Sequence, residues 1–202
     1  HPRSKSSRLP HPNSPPLKSA LSSQPIPAGR LGDCRPSLYV HLPFCVSRCR
    51  YCDFNAWAFR NQSIPRYVDA LLLEAEKRGA DLNPQTVFLG GGTPSLLPAE
   101  DLKRLLNRLH EITGFRDSAI EVSMEANPES FDLGTATAAR EGGVNRISIG
   151  VQSLQADVLR AYDRAHDADD AVRALQLARN VFPRMNADLI FGFPGQCPAT
   201  FF

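Results

Sequence analysis

Five short apolar runs, separated by longer segments of helical period, set what this chain can fold into. The runs are Leu38 to Leu42, Thr86 to Leu89, Ile120 to Met124, Arg146 to Val151 and Ala187 to Phe191. Between them the spacing predicts helices at about Pro65 to Arg78, Pro98 to Thr113, Leu133 to Glu141 and Asp169 to Val181, with apolar residues three and four apart, as in Leu102, Leu105, Leu106 and Leu109. Pro98 suits a helix start. Nearly all-apolar strands alternating with helices imply parallel strands covered by helices and joined by right-handed crossovers. A barrel and a doubly wound open sheet both satisfy that pattern. A closed eight-stranded barrel takes about 250 residues, more than the 202 present, so the expectation is an α/β chain short of a full barrel that stops after its fifth strand.

Two segments differ in character. Residues 1–33 are rich in Pro and Ser, contain Arg3, Lys5, Arg8, Lys18 and Arg30 with no acid before Asp33, and show no periodicity. They read as a disordered basic tail, and residues 34–202 as the core domain. An organelle transit peptide is the alternative for the tail, opposed by Pro10, Pro12, Pro15 and Pro16, which break an amphipathic helix. The chain begins with His1 rather than Met, consistent with a fragment at that end. No stretch approaches the roughly 20 apolar residues of a membrane span. The net charge of +2 is carried by scattered basic residues, so nucleic acid is not an expected partner. The expected location is the cytoplasm, or a mitochondrion or plastid if the tail is a targeting segment.

The unusual residues fall just after the strand-like runs, where parallel α/β folds bind ligands. Cys45, Cys49 and Cys52 follow the first run with C-x3-C-x2-C spacing. Three thiolates can ligate three corners of a cubane 4Fe-4S cluster and leave the fourth iron open for a substrate. A structural zinc site closes with four ligands, and the loop offers three; Cys34, directly after the tail, and Cys197, near the end, are the other cysteines. Five cysteines, three of them within eight residues, make a poor disulfide framework. Gly90-Gly91-Gly92-Thr93-Pro94 follows the second run. Alone it reads as turn chemistry, but at a strand end it also lets backbone groups approach a charged ligand. Glu125 faces the same end and suits a ribose, while Gln152 and Asp188 are polar residues closing apolar strands, where burial demands partners. His41 and His166 read as hydrogen-bonded structural histidines rather than haem ligands. Trp57 and the phenylalanines read as core.

The stretch from Tyr39 to Phe54, YVHLPFCVSRCRYCDF, closely resembles the radical S-adenosylmethionine (SAM) family that contains oxygen-independent coproporphyrinogen III oxidase and the haem chaperone HemW. The resemblance continues through Gly90 to Ser95, Glu125 to Pro128, Gly143 to Ser153 and Asp188 to Gln196. It implies a partial (β/α)6 barrel, a 4Fe-4S cluster on Cys45, Cys49 and Cys52, and SAM held by Tyr39, the backbone of Tyr51, Gly91, Gly92, Thr93, Glu125, Gln152, Arg164 and Asp188. No side chain is singled out as catalytic, because cluster and SAM supply one-electron chemistry that side chains cannot. Haem or a porphyrin, a flavodoxin- or ferredoxin-type electron donor and recipient haemoproteins are the implied partners.

Two departures from the family pattern matter. Asp53-Phe54 stands where the oxidases carry Gly-Cys, which looks like the HemW branch and favours haem delivery over porphyrinogen decarboxylation. Asp163 stands where the pattern preceding Arg164 has glycine.

Overall fold

A computed structural model of the chain describes residues 35–58 and 63–196. The basic tail, Cys34 and Cys197 lie outside the described residues. The elements run β1 (Ser37–Leu42), β2 (Phe44–Cys45), β3 (Trp57–Ala58), α1 (Ile64–Arg78), β4 (Thr86–Gly91), α2 (Ala99–Thr113), α3 (Phe115–Ser118), β5 (Glu121–Ala126), α4 (Leu133–Glu141), β6 (Arg146–Gln152), α5 (Ala156–Ala161), α6 (Ala168–Val181) and β7 (Arg184–Leu189).

Five strands form one parallel sheet in the order β1-β4-β5-β6-β7. The order never reverses along the chain. A doubly wound sheet reverses at its switch point; this one does not, and right-handed crossovers then place successive helices on the same face. Accordingly α1 packs on α2, α2 on α4 and α4 on α6. The result is a barrel wall with one helical layer.

The helix-facing side of the sheet is apolar at every second residue: Val40 and Leu42, Val87 and Leu89, Val122 and Met124, Ile147 and Ile149 are all buried. They meet Leu102, Leu105, Leu106 and Leu109 of α2 in one core. The intervening residues differ in kind. Register aligns Phe88 with Ser123, Ser123 with Arg146, Glu125 with Ser148 and Ser148 with Asn186. The strands are therefore apolar on one face, not two as their composition suggested, and the second face carries the polar groups. That polarity hid the start of β7: Arg184 and Asn186 belong to the inner face, so the strand begins before Ala187 and ends before Ile190 and Phe191.

Local signals explain the helix limits. Ser63, Asp132 and Asp167 accept hydrogen bonds from the backbone N–H three residues on, the last in a capping box with Asp170. Gly114, at φ 68°, ends α2 in the left-handed conformation. Pro98 sits just outside α2, at its cap. The short α3 and α5 and the two-residue β2 and β3 lack enough residues for a periodic signal. Trp57 is 57% exposed, Phe54 67% and Phe191 81%, so these aromatics are not core; Phe44, Phe115, Phe131 and Phe182 are. Among the described residues no helix is long and apolar enough to cross a membrane.

Candidate cluster and SAM site

A cavity of about 300 Å³ opens at the carboxyl end of the sheet, at the low end of the range for small-molecule sites. Its walls include Cys45, Cys49 and Cys52 from the loop after β1, Gly91 to Thr93 at the end of β4 and just beyond it, Glu125 to Asn127 at the end of β5, Ser148, Gly150 and Gln152 of β6, Arg164, and Asp188 of β7. The cysteine loop is clipped at its base, where β2 pairs in parallel with β3 and Trp57 N–H donates to the Pro43 carbonyl at 2.8 Å. Within it Cys52 N–H donates to the Cys49 carbonyl at 3.1 Å.

The three cysteines are half-buried and free of disulfides. Among the described residues no three His, Cys, Asp or Glu side chains gather around a single metal-ion position. A zinc ion needs its ligands at about 2.0–2.3 Å from one point, whereas a cubane takes each thiolate on a different iron. Three cysteines on one cavity wall are the donor set a cluster with one open iron needs. Two of the sulfurs already face hydrogen-bond donors: Thr93 Oγ1 lies 3.7 Å from Cys45 Sγ, and Arg164 Nη1 lies 3.3 Å from Cys49 Sγ. Burial raises the Cys45 thiol, an effect the Thr93 hydroxyl partly offsets, so the apoprotein holds it protonated.

Eight of the nine residues expected to hold SAM line this cavity: Tyr51, Gly91, Gly92, Thr93, Glu125, Gln152, Arg164 and Asp188. Tyr39 does not. It pairs across the sheet with Phe88, below the strand ends, and its hydroxyl meets His41 Nδ1 at 2.9 Å. Tyr51 packs edge-on against Tyr162, and its hydroxyl is pushed up to about 12, by burial first. Glu125 Oε2 accepts from Gly91 N–H at 3.2 Å; burial drives its carboxyl above the usual range. Gln152 adopts a left-handed φ of 64° at the strand end. Asp188 is exposed rather than buried, and accepts from Ser148 Oγ at 2.7 Å and Asn186 Nδ2 at 2.8 Å.

The glycines have a protein reason as well as any ligand reason. A Cβ on Gly92 would lie 2.6 Å from the Phe44 carbonyl oxygen, and one on Gly91, at φ 111°, would collide with the His41 ring. Only glycine lets β4 pass this close to the root of the cysteine loop.

The two histidines are occupied. His41 Nε2 donates to the Asn55 carbonyl at 2.9 Å while its Nδ1 meets Tyr39; His166 Nε2 donates to the Val151 carbonyl at 3.0 Å, and its Nδ1 lies 3.4 Å from Arg164 Nη2 and 3.3 Å from Glu129 Oε2. Neither ring has a nitrogen turned to an open face.

Sequence reasoning missed Asn127, whose amide donates to Thr93 Oγ1 at 2.9 Å and whose carbonyl oxygen accepts from Arg164 Nη2 at 2.8 Å. It also missed Glu129, Ser148 and Gly150. The Asn-Pro dipeptide after β5 and the lone hydroxyl within β6 were the available signals.

Comparison with known proteins identifies the family of this fold. The family model described as the Radical SAM superfamily matches residues 39–201. The heme chaperone HemW of Bacillus subtilis (strain 168) is 35% identical over 164 residues, covering 79% of this chain and 43% of its own. A zebrafish (Danio rerio) protein, "Radical S-adenosyl methionine domain-containing protein 1, mitochondrial", is 36% identical over 181 residues, covering 88% of this chain and 40% of its own. The coproporphyrinogen III oxidase HemN of Escherichia coli, a radical SAM enzyme, superposes with a TM-score of 0.75 at 36% identity over 83% of this chain and 40% of that one. The chain thus spans under half the length of these relatives. A cysteine triad at the carboxyl edge of an unreversed parallel sheet, matched over most of the sequence, means that this chain belongs to the radical SAM superfamily.

Proposed function

We propose that this chain is the radical SAM portion of a HemW-like protein that handles haem. Cys45, Cys49 and Cys52 hold the 4Fe-4S cluster, and Tyr51, Gly91, Gly92, Thr93, Glu125, Gln152, Arg164 and Asp188 shape the SAM cavity beside it. Bound together, cluster and SAM supply one-electron chemistry. The chain's own residues do the rest: Glu125 and Asp188 present carboxylates to the ligand's hydroxyl and amino groups, Gln152 offers an amide, and Tyr51 closes the wall next to Cys52. Tyr39 acts at one remove, through His41. A flavodoxin- or ferredoxin-type donor provides the electron.

The observation that carries the HemW reading is Asp53-Phe54, which follows the last cluster cysteine and places Phe54 on the cavity rim. Haem titration of the full-length protein, followed by transfer to an apo-haemoprotein, tests it; saturable binding and transfer are expected, and binding no stronger than to serum albumin rejects it.

The likeness to HemN supports a second reading, oxygen-independent coproporphyrinogen III oxidation in porphyrin biosynthesis. Anaerobic turnover of coproporphyrinogen with SAM and a reductant would establish it. The cytoplasm is the proposed location. The mitochondrial designation of the zebrafish relative supports the alternative of an organelle, which import assays on residues 1–33 would decide.

A further inference from the structure

We infer that Arg164 tunes the cluster directly, its guanidinium donating a hydrogen bond to the Cys49 thiolate and raising the cluster's reduction potential. The inference rests on the reading that Cys45, Cys49 and Cys52 hold a 4Fe-4S cluster, and goes beyond the contact with SAM that the family resemblance gives this arginine.

The geometry is over-determined. Arg164 Nη2 donates to Asn127 Oδ1 and to the Gly150 carbonyl, both at 2.8 Å, which pins the plane of the guanidinium between the ends of β5 and β6. Nη1 then falls 3.3 Å from Cys49 Sγ and 3.3 Å from the Tyr51 hydroxyl. Nε is buried without a partner among the described residues, so the head group is committed to this pocket rather than to solvent.

The cysteine loop is docked on the same turn that carries Arg164. Arg50 N–H donates to the Tyr162 carbonyl at 3.2 Å, Ser47 Oγ to the Asp163 carbonyl at 3.3 Å, and Arg50 Nε to Asp163 Oδ2 at 2.6 Å. Asp163 has a φ of 55°, the left-handed conformation that glycine ordinarily supplies, which aspartate tolerates better than most residues. Here it supplies both the turn and a carboxylate that holds the loop. Loop and arginine therefore keep a fixed relation.

A buried guanidinium needs compensating negative charge, and the Cys49 thiolate is within hydrogen-bond reach. Hydrogen bonds and positive charge at a cluster sulfur favour the more negative, reduced cluster and so raise its potential. The couple takes up one electron, supplied in the test by dithionite.

The test is a potentiometric titration, followed by electron paramagnetic resonance and without SAM, of full-length protein reconstituted anaerobically as wild type, R164M and R164K. Iron per chain is expected to stay constant. In R164M the ratio of reduced to oxidised cluster at a fixed potential should fall roughly tenfold, which is ~59 mV for a one-electron couple. R164K, which keeps charge without the planar fork, should fall between the two. Equal potentials in all three would overturn the inference alone. Loss of iron from both variants with unchanged circular dichroism would overturn it in favour of a purely structural arginine. A wild-type protein that takes up no cluster sinks the cluster reading itself.

Discussion

Glu125 Oε2 and the backbone N–H of Gly91 meet at 3.2 Å, joining the carboxyl ends of neighbouring strands β5 and β4 across the mouth of the cavity. Burial raises the Glu125 carboxyl, the Gly91 hydrogen bond offsets part of that rise, and the charge of Asp188 adds to it. A carboxyl whose folded pKa lies above its unfolded value weakens the fold where it is ionised. The penalty is relieved as pH falls through the folded value. E125Q keeps an acceptor for Gly91 without the charge. Its apoprotein is expected to melt slightly higher than wild type at neutral pH, with the difference closing under mild acid, while SAM affinity drops; calorimetry across pH and SAM titration of the reconstituted protein check both.

Glu129 has the opposite sign. Burial pushes it up, but the His166 contact, its own backbone N–H and the Arg164 charge outweigh this and hold its carboxyl below the usual range. A depressed carboxyl stabilises above its unfolded pKa and loses that contribution as pH falls through the folded one. E129Q should therefore lower stability at neutral pH by about 1 kcal/mol, the typical size of a destabilising point change, because it removes the charge that the His166 contact and Arg164 favour. Urea unfolding at neutral and acid pH should show the gap narrowing on acidification.

Gly92 passes so near the root of the cysteine loop that a Cβ would lie 2.6 Å from the Phe44 oxygen. G92A is expected to displace β2 and lower iron uptake at least severalfold while the helical circular dichroism persists. Iron and protein assays after anaerobic reconstitution measure it.

Leu105 of α2 is fully buried between that helix and the sheet. L105A should destabilise the fold by about 2–5 kcal/mol, the usual result of opening a cavity in a packed core. Reduced expression or an earlier urea midpoint, with cluster spectra unchanged in the folded fraction, is the expected signature.

Much of this was readable in the sequence because periodicity and loop chemistry are local. The leucines of α2 and the C-x3-C-x2-C loop announce themselves within a few residues. What escaped depends on neighbours distant in sequence. The register that sets Glu125 beside Ser148 and Ser148 beside Asn186 belongs to the sheet, so the polar inner face had no local signature, and β7 was placed late. Asn127 and Glu129 gain their roles only from Thr93, Arg164 and His166. Trp57 was misread because aromatic residues usually report a core, and here one rims a cavity.

The alternation along the strands ties two requirements together. Odd and even positions face opposite ways, so a slip of one residue in β5 or β6 would turn Glu125 or Ser148 toward the leucines of α2 and expose Met124 or Ile147 to the cavity. Misregistered chains would then fail at folding before they could fail at chemistry. Proofreading of the fold is at the same time proofreading of the site.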